Sequence, residues 1–486
     1  MKVELHAAHV YSMAGSGVGY LGPSTIFIES GKITDIKPCK EQSLQGLQDL
    51  AAKKHIRAHK FWHKDTLHIS CPYHAIFPGL IDAHMHSSCN ILRGLAQDCQ
   101  NWMMHGLAPF EQATKEEAKD KGAKLALIEG LKAGTTCFAD FNANMKNSAA
   151  FMKDLGLRGL LAQTIRAAKY RVYESGELYE LDEKQGQKSF REALEFFDTY
   201  HNKGALKVAL GPQGIDFVGL ELLEDIYAKA KELGTKVHMH VQQGDRETYQ
   251  VQKRYSKRPV ELLHEKGLLN ERLIAVHLTD CDDEEAGLVA KSGAGMVVNP
   301  SSIAIIDGII CPSLAFSKAG GFVALGSDQA CGNNRHNIIG EMKMAAFFSK
   351  IKAQNPEELP AYKALRMATC EGAKVLGLDH LIGSLETGKR ADLIAINLKS
   401  TSMAPLYLKP MRNIVPNLVY SASGSEVELA MVDGKLLLWD FKVQGLDEDE
   451  LFVGLDALAA QIGEEAQEEF DRINGKNSQY MREGCL

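Results

Sequence analysis

The sequence contains no Cys-x-x-Cys pair, although it has ten cysteines, at positions 39, 71, 89, 99, 137, 281, 311, 331, 370 and 485. Scattered single cysteines exclude a zinc knuckle and a disulfide framework, and they fit the reduced thiols of a cytoplasmic protein. No apolar run approaches the length of a membrane span. The first ten residues, MKVELHAAHV, lack the layout of a signal peptide. Positive charge is in deficit: 55 Lys and Arg stand against 62 Asp and Glu, a net charge of -7. That balance argues against a general nucleic-acid binder. No segment repeats closely enough for a solenoid. What remains is a chain of 486 residues, 45% apolar and 24% charged. It is too long for one ordinary core and long enough for a large barrel with a satellite domain.

Residues 1–35 read as short strands, with a hairpin over Thr25–Ile33 that turns at Gly31. Residues 36–70 are polar and irregular. Within them His55, His59 and His63 are spaced to share a helix face, in what reads as a solvated insertion. From residue 72 to about 384, short apolar runs alternate with longer amphipathic stretches. The runs are 75–83, 135–141, 159–165, 206–210, 236–241, 273–278, 295–298 and 321–326. Eight strands alternating with helices predict an α/β fold, a (β/α)8 TIM barrel. Later strands are expected at 418–423 and 429–438. Paired with the N-terminal strands they form a small β-sandwich domain built from both chain ends. The expected division is 1–76 with 385–445 for that domain, 77–384 for the barrel, and 446–486 for a C-terminal helical extension. The extension carries Leu451, Leu455, Leu458 and Ile462 on one stripe, suited to the protein's own surface or a subunit partner.

The chemistry-bearing residues end strands. Phe77-Pro78-Gly79-Leu80-Ile81-Asp82-Ala83-His84-Met85-His86 closes an apolar run with two histidines that share a strand face. Strand five ends in His238-Met239-His240, strand six in His277 and strand eight in Gly326-Ser327-Asp328. Barrel enzymes place their catalytic groups at the C-terminal strand ends. Four such ends carrying metal-type residues predict a metal site there. Imidazole and carboxylate ligands suit a divalent ion and leave a position for water.

These stretches resemble the amidohydrolase superfamily, and more narrowly its branch of triazine hydrolases and methylthioadenosine/S-adenosylhomocysteine deaminases. The resemblance rests on PGLIDAHMHS (78–87), ILRGLAQD (91–98), EGLKAGTTCFADF (129–141), IAVHLTDCDDEE (274–285), NPSSI (299–303), ALGSDQACGNN (324–334), IGSLETGKRADLIAI (382–396) and LVYSASGSEVELAMVDGK (418–435). It implies one divalent metal, zinc or else iron, held by His84, His86, His240 and Asp328. Asp328 is then also the catalytic base. His277 stands beside the metal and bonds the water or the developing oxyanion, and His238 lies one layer down. No lysine between strands three and four matches a bridging ligand, so a second metal is not expected. Substrate contacts are expected from Gln213, Arg166, Trp102 and Asn334, with Arg93, Arg171 and His336 as further candidates.

Three positions depart from the pattern. Gln243 stands where deaminases of the branch carry a proton-shuttling glutamate. Gln213 follows Pro212 where a histidine is usual, and Val298 precedes Asn299-Pro300 where a histidine is usual. Glutamine donates a hydrogen bond but moves no proton at neutral pH. Gln243 is therefore a catalytic position with altered chemistry, unless Asp245, Glu247 or Asp280 supplies the acid. The expected activity is hydrolysis of a non-peptide C–N bond, as an aminohydrolase of a nitrogen heterocycle such as a purine nucleoside or triazine. The alternatives are a hydrolase of the same fold acting on an amide, urea or C–Cl bond, and a catalytically impaired metal-binding homologue. Zinc deaminases of flipped bases carry His-x-Glu with Pro-Cys-x-x-Cys, and the missing pair excludes them. The expected partners are a small-molecule substrate and further copies of the chain, as a dimer or tetramer, with no nucleic acid and no membrane.

Overall fold

Eight short parallel strands pair in chain order: β6 (Leu80–Met85), β7 (Thr135–Asn142), β8 (Arg158–Ile165), β9 (Leu206–Pro212), β10 (Val237–Val241), β11 (Leu273–His277), β12 (Gly295–Val298) and β13 (Val323–Leu325). The computed structural model describes residues 1–39, 58–171, 173 and 176–486. A bridge between Met85 and Asp328 joins the last strand to the first and closes the barrel. Closure therefore happens at the residues that carry the chemistry. Alternation sorts the side chains. Val237, Met239 and Val241 face the surrounding helices, and His238 and His240 face the interior. Small interior residues, among them Ala83, Ala139, Ala162 and Ala324, leave room there for imidazole rings. Ala373, Val375 and Leu376 of the helix Cys370–Leu376 pack in the same cluster.

The second sheet is mixed and nine-stranded. Its strands are β1 (Lys2–Tyr11), β2 (Tyr20–Glu29), β3 (Lys32–Pro38), β4 (His59–His63), β5 (Thr66–Pro78), β14 (Leu393–Asn397), β15 (Val427–Val432), β16 (Lys435–Trp439) and β17 (Lys442–Val443). β5 lies between β1 and β14, so both chain ends build one domain. The Gly31–Ile33 turn bonds back to Lys389 and Ala391, which folds the sheet over its own apolar face.

Three sequence expectations are corrected. The run 75–83 is two strands in two sheets. Its first half belongs to β5, and Gly79 marks the crossing, where a Cβ would stand 1.9 Å from Thr136 Oγ1. Residues 418–423 are not a strand. Ile414–Tyr420 is a helix that buries Ile414, Val415, Leu418 and Val419, a helical spacing. His59 and His63 lie on β4, paired antiparallel with β5, not on a helix; His55 lies outside the described residues.

The helix Glu116–Lys132 buries Ala118, Gly122, Ala126 and Gly130 at four-residue spacing. A side chain at Gly122 would meet Ile91 N at 2.8 Å and Ser88 O at 2.9 Å. Glycine lets this helix close onto the turn that follows His86. The C-terminal helix Leu455–Ile473 packs on the chain's own surface. Ile462 joins Leu107 and Trp102 in one cluster, and Phe470 sits 5.5 Å from Phe110. The extension thus buttresses the segment that roofs the barrel mouth. Among the described residues no helix is long and apolar enough to cross a membrane.

Candidate metal centre and active site

At the barrel mouth the backbone bends sharply where the functional residues sit. His277, Asp328 and Gln242 adopt positive φ of 79°, 60° and 46°. Such strained conformations in non-glycine residues cost of order 1–3 kcal/mol each and cluster at functional sites. Surrounding bonds hold them: Asp328 N donates to His84 O at 2.9 Å, and His86 N donates to Asp328 O at 3.0 Å.

Each ligand-type imidazole is held by its Nδ1, which leaves Nε2 turned to the centre. His86 Nδ1 donates to Phe141 O at 2.5 Å. His240 Nδ1 donates to Gln213 O at 2.6 Å. His84 Nδ1 shares a hydrogen bond of 2.9 Å with His238 Nε2, so His238 orients His84 from below. Metal-binding histidines are oriented in this way. The inward atoms then converge. Asp328 Oδ1 stands 3.7 Å from His84 Nε2 and 3.6 Å from His86 Nε2. His240 Nε2 is 3.3 Å from His86 Nε2. His84 Nε2, His277 Nε2 and Asp328 Oδ1 are buried with no hydrogen-bond partner. Buried polar atoms without partners are costly and call for an explanation. A divalent ion held by His84, His86, His240 and Asp328 would supply one for His84 Nε2 and Asp328 Oδ1. Burial lowers His84 and His240 well below the usual histidine range, which keeps them in the neutral, metal-binding form.

His277 differs from the other three. Asn299 Nδ2 donates to its Nδ1 at 3.1 Å, which places the ring proton on Nε2, facing the centre. Burial lowers its pKa to about 4. A neutral ring with an inward N–H is a hydrogen-bond donor for water or a developing oxyanion.

A buried polar layer supports this centre, and of its members only His336 is among the residues expected from the sequence. Asp82 accepts from Ser327 N at 2.9 Å and Ser327 Oγ at 2.5 Å. His336 Nδ1 sits 2.8 Å from the same hydroxyl. Ser302 Oγ donates to Asp328 Oδ2 at 2.6 Å. Asp140 accepts from Ser87 N and Oγ, at 3.0 and 2.6 Å. Asp82 falls inside the PGLIDAHMHS stretch and Ser327 directly precedes Asp328, and those adjacencies were the available signal.

Above the centre lie two adjoining cavities, of about 240 and 500 Å³. The inner one is lined by His86, His240, Phe141, Gln213, Arg166 and Gln243. Trp102, on the π-helical turn Trp102–Leu107, lines both. Arg166 Nη1 donates to Gln213 Oε1 at 3.1 Å, and its guanidinium lies 4.5 Å over Phe217. Arg246 Nη2 donates to Gln243 Oε1 at 3.3 Å. Each glutamine oxygen thus accepts from an arginine, which leaves its amide N–H groups as available donors.

Two expected substrate-side positions do not reach it. Asn334 accepts from Gly94 N and donates to Gly332 O, both at 3.0 Å, so it ties loops together. Val298 alternates outward with Met296 into the core between barrel and helices. The departure at 298 is therefore a packing change. Arg93 pairs with Glu129 and His336 with Ser327, and neither lines the cavity.

Glu247 comes closest to a replacement acid. It is buried, and its Oε2 accepts from Gln243 N at 3.0 Å. It thus braces the Gln243 backbone and lines neither cavity. Burial, then the neighbouring Asp216, raise its pKa to about 8. Asp216 is raised as well, by burial. The folded chain keeps a proton that the unfolded chain releases between the usual glutamate value and about 8. Stability therefore falls as pH rises through that window. Glu247→Gln is expected to remove that slope, so the stability gained over wild type grows with pH by up to about 1.4 kcal/mol per unit. Urea unfolding at pH values across the window checks this; a gap independent of pH would contradict it.

A parallel barrel that gathers three oriented histidines, an inward aspartate and a neutral histidine donor at its C-terminal mouth is the framework of a metal-dependent hydrolase. The chain belongs to the amidohydrolase family, which it matches over residues 75–437. It is 30% identical over 448 residues to a 5'-deoxyadenosine deaminase of Methanosarcina mazei, covering 91% of this chain and 94% of that one. It is 34% identical over 386 residues to a 5-methylthioadenosine/S-adenosylhomocysteine deaminase of Teredinibacter turnerae, covering 79% and 84%. A zinc-bound adenosine deaminase from Xanthomonas campestris superposes with a TM-score of 0.83 at 26% identity, over 95% of this chain and 98% of that one. A zinc complex of atrazine chlorohydrolase from Arthrobacter aurescens shares the fold, with a TM-score of 0.80 at 20% identity over 94% and 100%.

Proposed function

We propose that the chain is an aminohydrolase that releases ammonia from an amino-substituted nitrogen heterocycle, a purine nucleoside or a triazine. The observation that carries this reading is the convergence within 4.8 Å of three unpartnered buried atoms, His84 Nε2, His277 Nε2 and Asp328 Oδ1, beside His86 and His240, which line the inner cavity. The cavity opens outward past Gln243 toward Arg246, Gln250 and Asp307, which suits a ring held inside with a substituent outside.

His84, His86, His240 and Asp328 hold the divalent ion in this reading, with zinc proposed from the zinc-bound relatives. When bound, the ion makes a water molecule easier to deprotonate near neutral pH. Asp328 takes the proton from that water and delivers it to the leaving nitrogen. His277 donates its Nε2–H to the charge that develops at the attacked carbon's new oxygen. Gln243 and Gln213 hold ring nitrogen or oxo acceptors through their amide N–H groups. Trp102 and Phe141 close the ring off from solvent. Since Gln243 moves no proton, the substrate is one whose ring requires little protonation. That same observation favours, as a second reading, another leaving group on a similar ring, such as chloride. The ten free thiols support a cytoplasmic location, and assembly as a dimer or tetramer completes the proposal.

The test is ammonia release from adenosine, 5'-deoxyadenosine, methylthioadenosine, guanine and aminotriazines. Ammonia from at least one of them is expected. Release of chloride from a chlorotriazine with no ammonia from any amine would move the assignment to the second reading.

A further inference from the structure

The outer face of the small domain carries a second group of ligand-type side chains that the barrel chemistry does not use. The parallel register of β1 and β5 sets Glu4 beside His68. His6, two residues along β1, shares that face. The opposite face of the same strands, Val3, Leu5, Leu67 and Ile69, is buried in the domain core, so the register of the sheet fixes which way the three polar side chains point. β4 lies antiparallel on the far side of β5, with Phe61 opposite His68.

Glu4 Oε2 stands 3.4 Å from His68 Nδ1 and 4.0 Å from His6 Nε2. One ligand atom from each of the three residues lies within 4.8 Å of the others. Thr25 Oγ1 bonds His6 Nδ1 at 2.8 Å, which turns Nε2 toward the carboxylate. Held Nδ1 and free Nε2 is the arrangement seen at His86 and His240 in the barrel, and it is how ligand imidazoles are oriented. Phe61 stacks on the His68 ring at 5.0 Å and 12°, covering it from solvent. His63 meets the same ring edge-on at 6.2 Å. An ion pair needs only one imidazole for one carboxylate. Two imidazoles turned to the same carboxylate, one of them locked by a threonine, make a metal-ligand set.

We propose that Glu4, His6 and His68 bind a divalent cation of the zinc class at a site separate from the barrel mouth. Ligand atoms around a tetrahedral zinc stand about 3.3 Å apart, so the present spacing closes with small side-chain rotations. Imidazole and carboxylate together select zinc and its late first-row neighbours over magnesium or calcium. The site clamps β1 to β5, the pair that joins the N-terminal strands to the rest of the domain. Its role is therefore structural, and its occupancy leaves turnover unchanged.

The test uses the full-length protein with its barrel site already loaded, and titrates zinc alone, then cobalt as a visible probe. A second equivalent per chain is expected, together with a rise in melting temperature. His6→Ala/His68→Ala is expected to bind that equivalent at least about tenfold more weakly, to lose the zinc-dependent rise in melting temperature, and to keep wild-type ammonia release. Glu4→Gln, a milder change, is expected to alter the cobalt absorption bands of the second equivalent. Binding that stops at one equivalent in wild type, or a second equivalent that survives in the double variant, would overturn the proposal. So would its loss in His59→Ala/His63→Ala but not in the double variant.

Discussion

Asp328→Asn is expected to lower turnover by about three to four orders of magnitude and to weaken metal binding as well. Asparagine is the informative replacement. Asp328 sits at φ 60°, a conformation that asparagine and aspartate tolerate better than other side chains. The backbone bridge that closes the barrel is therefore retained, along with the Ser302 hydrogen bond to the side chain. What is lost is the negative charge at 3.6–3.7 Å from the His84 and His86 Nε2 atoms and the capacity to take a proton from water. Turnover measured beside metal content separates the two losses. A fully active, metal-free Asp328→Asn protein would exclude the roles assigned to this residue.

Gln243→Glu carries the opposite sign. A carboxyl at this position shuttles a proton to the ring, and general acid help is worth about two to four powers of ten. The gain expected here lies at the lower end, about a hundredfold. Arg246 Nη2 reaches Gln243 Oε1 at 3.3 Å, and the same guanidinium would hold the new carboxyl ionised, which weakens it as an acid. The measurement is kcat for deamination across the amino-heterocycle panel, with substrates of basic rings gaining most. No gain on any of them would show that proton delivery at this position does not limit the reaction.

Much of this architecture is legible from residue pattern alone, because parallel barrel strands are short apolar runs buried on both faces. β7 to β13 each fall on such a run. β6 is harder to delimit, because β5 before it is equally apolar and only Gly79 marks the change of sheet. Residues 418–423 read as a strand because Leu418 and Val419 make a short apolar run, and tertiary packing instead ends the helix Ile414–Tyr420 there. The inward histidines and Asp328 are legible because strand ends have a fixed role in barrels. The loops are not. Asn334 follows Asp328 closely in sequence but is spent on Gly94 and Gly332. Val298 is placed by strand alternation into the core. Asp140 and Ser302 support the centre through contacts that no local spacing encodes. The side-chain oxygen of Gln213 is held by Arg166, which follows another strand, and that of Gln243 by Arg246, three residues on in the helix Asp245–Tyr255.

In the proposed reaction the groups gathered at the barrel mouth act through one bound divalent ion. Its most direct test is ammonia release by the wild-type protein after exhaustive chelation and then stepwise return of zinc. The chelated protein is expected to be inactive, and activity is expected to return with the first equivalent bound. Undiminished turnover in protein shown by elemental analysis to hold no metal would contradict it.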